Sequence, residues 1–284
     1  MINKENMSKK LQISTFGSCL ADQIADALLG IDSAATKLSK IYHYRSDQFC
    51  DYVIDERFDA ISKKSFQAIV QSYENEKFSQ LNRNCIKHQS KEFVDFFIKS
   101  IPYTDVFLFD NHMDVGAKLV LGVHPNNKNA PIFFRAASNI EERSELKFTN
   151  LLDLEKSHNG FRKVFAWIRS KNPNAYIFFV PYPGNPFAER GGQKRANRSA
   201  KYPCEFSDLG VFSFPHFFIP REYQDFEKGA LYFKKNVYQE IAKCALFTIQ
   251  AKGNDSALTE IYAQKNMSFD ELLEITSNIV ILNN

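Results

Sequence analysis

Two short apolar runs, each cut off by a polar cluster, do most to restrict what this chain can fold into. Asn174–Tyr182 (NAYIFFVPY) is a buried-strand sequence ended by Pro183-Gly184-Asn185-Pro186, and Tyr103–Asp110 (YTDVFLFD) is a second, ended by Asn111 and His112. Runs of this kind, apolar at successive positions, belong to strands covered on both faces, as in parallel sheets. Lys10–Phe16 is a further β-rich stretch, and Ala35–Tyr44 holds a short apolar one. Helical stripes lie between them. Leu20, Ile24, Ala27 and Leu28 follow the first strand; Phe58, Ile61, Phe66, Ile69 and Val70 mark Glu56–Phe78. Phe161, Val164, Phe165 and Ile168 mark one or two helices from Ser138 to Ser170, broken near Asn159-Gly160. Leu231, Val237, Ile241 and Ala245 mark a helix over Phe226–Ile249. Strands alternating with helices imply βαβ units and a parallel sheet with helices on both faces, an α/β/α sandwich.

The 284 residues suit one large domain, and no linker or repeat divides them. The expectation is a single domain over 1–284 with insertions near 113–135 and 187–206. A composition of 44% hydrophobic and 24% charged residues excludes a disordered, collagen-like or coiled-coil chain. The 27 Phe residues make a large aromatic core possible. With 36 basic against 33 acidic residues, the net charge of +3 gives no reason to expect nucleic acid. Five scattered cysteines with no CxxC pair are neither a disulfide framework nor a zinc pattern. No apolar run reaches the ~18 residues of a membrane span, and LQISTF is too short for a signal-peptide core. The expected location is the cytoplasm, with reduced thiols.

The chemistry-bearing feature is the first turn. In open parallel sheets ligands sit beyond the carboxyl ends of the strands. Gly17-Ser18-Cys19 falls there, between a strand and a helix. A thiol at a helix N-terminus is favoured as thiolate, and the same backbone N–H groups can hold an oxyanion. Gly17 leaves room for a substrate. The plainer reading is a buried cysteine that packs the turn.

Thr15-Phe-Gly-Ser-Cys19 resembles the opening block of the SGNH/GDSL hydrolase superfamily, whose Gly-Asp-Ser turn carries the nucleophile, and its Gly-Ser-Cys form is similar to the GSCFA and WcbI-type branches associated with bacterial surface and capsular polysaccharides. Phe107-Leu-Phe-Asp-Asn111-His112 falls where that superfamily has an Asn-bearing strand end, and Phe214-Pro-His216-Phe falls where it has its catalytic His. The resemblance implies a flavodoxin-like central sheet in a three-layer α/β/α sandwich. It also implies Cys19 as nucleophile, with Ser18 as the alternative, and His216 as general base. The Cys19 N–H and the Asn111 amide would form the oxyanion hole. The acid expected three residues before the His is Ser213 here, and Asp208 is near but out of register. A Cys–His dyad works without that third member. Arg45 lies roughly where the second-block glycine would be.

Other residues carry two readings each. His216, among Phe212, Phe214, Phe217 and Phe218, is either catalytic or a core histidine. Asp110 is a helix N-cap, or else Asp110 or His112 serves the catalytic site in place of His216. No ligand spacing supports a metal site from His112, Asp114 and His124, so none is expected. The stretch Glu189–Lys201 has five basic residues. It is either a solvated loop or a phosphate-binding one, in which Arg190, Lys194, Arg195 and Arg198 hold coenzyme A or an anionic saccharide. Tyr182, Phe187, Tyr202 and Phe206 flank it, as stacking surfaces or as anchors.

The leading expectation is an acyltransferase, an O-acetyltransferase in form, moving an acyl group from acyl-CoA to a saccharide hydroxyl. A hydrolase of carbohydrate esters uses the same residues with water as acceptor. A non-catalytic CoA- or saccharide-binding protein on a degenerate hydrolase fold is the third reading.

Overall fold

The computed structural model describes residues 10–57, 62, 64, 90–123, 131–135, 147–183, 186–187, 192–228, 232–252 and 256–278. The chain opens as expected: strand β1 (Gln12–Gly17), helix α1 (Cys19–Ile31) and strand β2 (Thr36–Tyr42). A short helix α2 (Ser46–Phe49) leads into one π-helical turn at Cys50–Ile54. Helix α3 (Lys91–Ser100) then feeds β3 (Val106–Asp110), the buried run seen in the sequence.

After β3 comes a one-turn helix, α4 (His112–Gly116), and a small antiparallel sheet. Its strands are β4 (Leu119–Val123), β5 (Pro131–Arg135) and β6 (Lys147–Phe148), with β4 in the middle. The first insertion is therefore a β-hairpin in its described part. Helix α5 (Leu154–Lys171) precedes β7 (Tyr176–Val180), and helix α6 (Gly192–Ser199) follows it. The chain then forms β8 (Val211–Ser213), β9 (His216–Phe218), α7 (Lys235–Gln250), α8 (Ser256–Ala263), β10 (Asn266–Ser268) and α9 (Phe269–Ser277).

The five main strands run in the order β2-β1-β3-β7-β8, every pair parallel. This is the flavodoxin-like order, and its reversal point lies between β1 and β3. Successive side chains of the central strands point to opposite faces, and both faces are dry. On one face Phe109 packs edge-on against Phe161 and Phe165 of α5, at 6.3 and 5.0 Å, and beside Phe16 of β1 at 5.3 Å. Phe97 of α3 closes the same cluster against Phe16 and Phe107. On the other face Phe178 lies on Phe212, which meets Tyr262 of α8, while α1 lies along α7. The arrangement is a three-layer α/β/α sandwich in which phenylalanine fills both interlayer spaces.

Four elements differ from the sequence reading. Residues 147–148 are strand, and α5 runs unbroken through Asn159-Gly160. Gly160 marks a close approach and not a break, since a Cβ there would stand 2.6 Å from Ser46 Oγ. The last long helix starts at Lys235 and not at Phe226, because Gln224 and Phe233 bridge and hold the preceding residues in a turn. The basic stretch contains a helix, α6, in place of a loop. The stripe over Glu56–Phe78 and His124-Pro-Asn-Asn lie outside the described residues, apart from Glu56, Arg57, Ser62 and Lys64.

Candidate active site

At the end of β1 the backbone of Gly17 takes φ +141°, a region L side chains avoid. A Cβ on Gly17 would also lie 2.6 Å from Asp110 Cγ, so the position excludes a side chain twice over. Ser18 is the N-cap of α1: its Oγ accepts from Leu20 N–H at 3.2 Å. Beneath it lies Asp110, from the end of β3 and 1% exposed. Its Oδ2 accepts from Ser18 N–H at 2.7 Å, Ser18 Oγ–H at 3.0 Å and Ala21 N–H at 3.0 Å. Its Oδ1 accepts from His112 N–H at 3.0 Å. Burial raises the Asp110 pKa, and these four donors work against that rise. One carboxylate thus ties the β1 turn to the start of α4 across the reversal point of the sheet.

Cys19, the first residue of α1, is half-buried, whereas Ser18 is 2% exposed with its hydroxyl engaged twice in the fold. Next to Asp110, Asn111 is wholly buried. Its Oδ1 accepts from Tyr182 N–H at 2.7 Å, while its Nδ2 meets no acceptor among the described residues. The His112 ring lies 4.3 Å from the Tyr182 ring. Arg195 of α6 shares that space, for a Cβ placed on Gly116 would meet Arg195 Cδ at 3.2 Å and His112 Nε2 at 3.7 Å.

Burial is the first cause of the raised pKa values of Tyr42, Tyr182 and Tyr238, and the charge of Cys19 adds to it in all three. His43 lies beside the Gly17 turn. It is a non-glycine residue at φ +63°, its N–H donates to Gly17 O at 2.8 Å, and its ring lies 3.9 Å from that of Tyr42. The sequence reading passed over His43. The signal was its place just past β2, whose last residue pairs with Gly17.

His216 shares no hydrogen bond with this cluster among the described residues. It lies on β9, paired with β10, and is 4% exposed. Its ring is packed at Phe218 and beside the Pro183 carbonyl, without a well-formed hydrogen bond to either ring nitrogen and with none to Cys19. Burial pushes its pKa down to about 4. Among the described residues no hydrogen bond joins His216 to Cys19, while Asp110 ties the His112 backbone to the Cys19 turn.

The remaining predicted residues divide in the same way. Arg45 is 4% exposed, and its guanidinium donates to Asp47, Thr149 Oγ1, Asn150 O and Ala117 O, which makes it a tether between β2 and the segment before α5. Arg198 donates to Val115 O and Leu152 O in the same structural manner. Asp208, exposed, pairs with Arg162. Asp114 accepts from Ser46 and Ser157 hydroxyls, so its oxygens are engaged in the fold. Lys194 is exposed on α6, beside an open groove of ≈540 Å³ lined with Gln193, Asn197, Arg198 and Lys201. Arg190 and His124 lie outside the described residues. The larger cavity of ≈770 Å³ runs along β8, between residues 200–207 and 262–266, and none of the Cys19 cluster lines it.

No family model and no curated protein matches the chain. Similar solved structures include an acetyl xylan esterase (Est2A) from the rumen bacterium Butyrivibrio proteoclasticus, at 11% identity and a TM-score of 0.38. The match covers 86% of this chain and 64% of the esterase, so the chain spans under two thirds of that protein. TubZ of Clostridium botulinum phage c-st is similar at 11% identity and a TM-score of 0.33, covering 92% of this chain and 68% of that one. Likenesses at this level leave the function to be argued from the site itself. Among the described residues no helix is long and apolar enough to cross a membrane.

Proposed function

We propose that the chain catalyses acyl transfer through Cys19, taking an acyl group from a thioester or ester and passing it to a saccharide hydroxyl or to water. One observation carries the reading: the Asp110 carboxylate holds both the Ser18–Ala21 turn and His112 N–H, so a half-buried thiol and an imidazole share the β1/β3 reversal point, where ligands of such sheets bind. In this reading His112, tied to the turn through its backbone N–H, takes the base role in place of His216. Thiol activation by His112 needs no third acidic member, and Asp110 accepts from the His112 backbone N–H.

In the reaction His112 accepts the Cys19 proton and the sulfur attacks the acyl carbon. The oxyanion is met by the Asn111 Nδ2–H, a donor the fold leaves over. His112 gives the proton to the leaving group as its bond to the acyl carbon breaks, then takes one from the acceptor hydroxyl as that oxygen bonds to the acyl carbon. The C–S bond breaks and His112 returns the proton to Cys19. Arg195 and Lys194 on α6 supply the positive charge suited to the phosphates of an acyl-CoA donor.

Pre-steady-state hydrolysis of p-nitrophenyl acetate tests this. The account expects a burst of nitrophenolate stoichiometric with protein, its rate lowered ~10²–10⁴-fold in His112→Ala and unchanged in His216→Phe. A burst that depends on His216 and ignores His112 contradicts it. Hydrolase and transferase share these residues, and product analysis with and without a sugar acceptor separates them.

A further inference from the structure

Two buried side chains carry donors that meet no acceptor among the described residues. Tyr182 is 1% exposed and its Oη has no hydrogen-bond partner among the described residues, the same condition as Asn111 Nδ2. Buried polar groups are nearly always paired, so each of these two donors calls for an explanation. The two are linked, because Tyr182 N–H donates to Asn111 Oδ1 at 2.7 Å and so sets which end of the amide is left over. The Tyr182 ring is held against His112 at 4.3 Å and near Phe233 at 6.4 Å. Cys19 and Arg195 both act electrostatically on the phenol.

Resting on the acyl-transfer reading above, we propose that the Tyr182 hydroxyl is a catalytic hydrogen-bond donor to the acyl oxygen, acting beside the Asn111 amide. When Cys19 Sγ bonds to the acyl carbon, the carbonyl π pair moves to oxygen, and Tyr182 Oη–H and Asn111 Nδ2–H donate to that oxyanion. The pair returns as the carbon–leaving-group bond breaks, and the leaving group takes the proton held by His112. Tyr182 keeps its own proton throughout: burial, with the Cys19 charge added, holds the phenol above its ordinary range. A donor unpaired in the resting protein gains its partner only as the oxyanion forms, which favours the transition state over the ground state.

Two reactions of Cys19 in wild type and Tyr182→Phe test the assignment. Alkylation by iodoacetamide displaces iodide and forms no oxyanion; acylation by p-nitrophenyl acetate does. The expected result is acylation slowed ~10²-fold, with alkylation within about twofold of wild type. The melting temperature should hold or rise, since Phe keeps the ring on His112 and removes an orphan hydroxyl. Equal acylation rates overturn the donor role alone. Equal loss of both reactions makes Tyr182 a positioning residue for the thiol and overturns it too. A wild type alkylated at Cys19 but never acylated overturns the acyl-transfer reading together with this role.

Discussion

At the scale of single residues, the account turns on which histidine serves Cys19. His112 is bound through its backbone to the carboxylate under the Cys19 turn, whereas His216 is packed into β9 without a well-formed hydrogen bond to either ring nitrogen. His216→Phe should therefore preserve acylation and alter the pH dependence of stability. Its folded pKa of about 4 lies below the ordinary 6.5. On acidification the unfolded chain gains that proton first, so the His216 contribution to stability falls between about pH 6.5 and 4. Thermal melts across that window should show a shallower acid-side loss in His216→Phe, and equal slopes would contradict its buried neutral state. The Gly-Ser-Cys turn was legible in the sequence because glycine and a strand-to-helix change mark it. The pairing of the turn with Asp110 was not, since 92 residues separate Ser18 from its partner and no periodicity encodes that contact. His43 was missed for a similar reason: its φ of +63° is imposed by the neighbouring turn and not by a local Gly or Asn.

At the scale of elements, the contact between α2 and α5 sets local propensity against packing. In an exposed helix, alanine in place of Gly160 would stabilise by about 1 kcal/mol. Here the new Cβ would meet Ser46 Oγ at 2.6 Å and Ser46 Cβ at 3.0 Å, and Ser46 is held by the Asp114 carboxylate through both its N–H and its hydroxyl. Gly160→Ala should thus lower stability by about 1–3 kcal/mol, read from denaturant midpoints; a gain would show that Ser46 yields freely. Asp114 at this junction has its pKa raised to about 7 by burial, with the Asp47 charge adding to it. As pH rises the unfolded chain loses this proton first, so the Asp114 contribution falls between about 3.8 and about 7. Asp114→Asn should remove that slope, read as the difference in melting temperature from wild type across the window. The long apolar strands and most helices could be read in advance because burial on both faces leaves continuous hydrophobic runs. The helix in the basic stretch could not, since α6 is largely polar and its place depends on tertiary contacts such as Arg198 with Val115 and Leu152.

For the whole molecule, the strand order matters most. At the reversal between the neighbouring strands β1 and β3 the chain leaves toward opposite sides of the sheet, and the Cys19 turn and α4 both open there. The core below it is aromatic and closely interlocked. Phe109→Ala, which empties the centre of a cluster formed by Phe16, Phe161 and Phe165, should cost about 3–5 kcal/mol by chemical denaturation. A loss under about 1 kcal/mol would mean that the layers collapse around the gap. Parallel layering was legible from the alternation of strand and helix signals. The position of the site within it followed from topology, which brings residues 17–21, 42–43, 110–112, 182 and 195 together from five separate segments.

The most direct measurement is the intact mass of the protein after incubation with acetyl-CoA, for wild type, Cys19→Ala and His112→Ala. The account predicts one added acetyl group in wild type, none in Cys19→Ala, and slowed addition in His112→Ala. An adduct that persists in Cys19→Ala, or a wild type that turns over neither acetyl-CoA nor an aryl acetate, would contradict it.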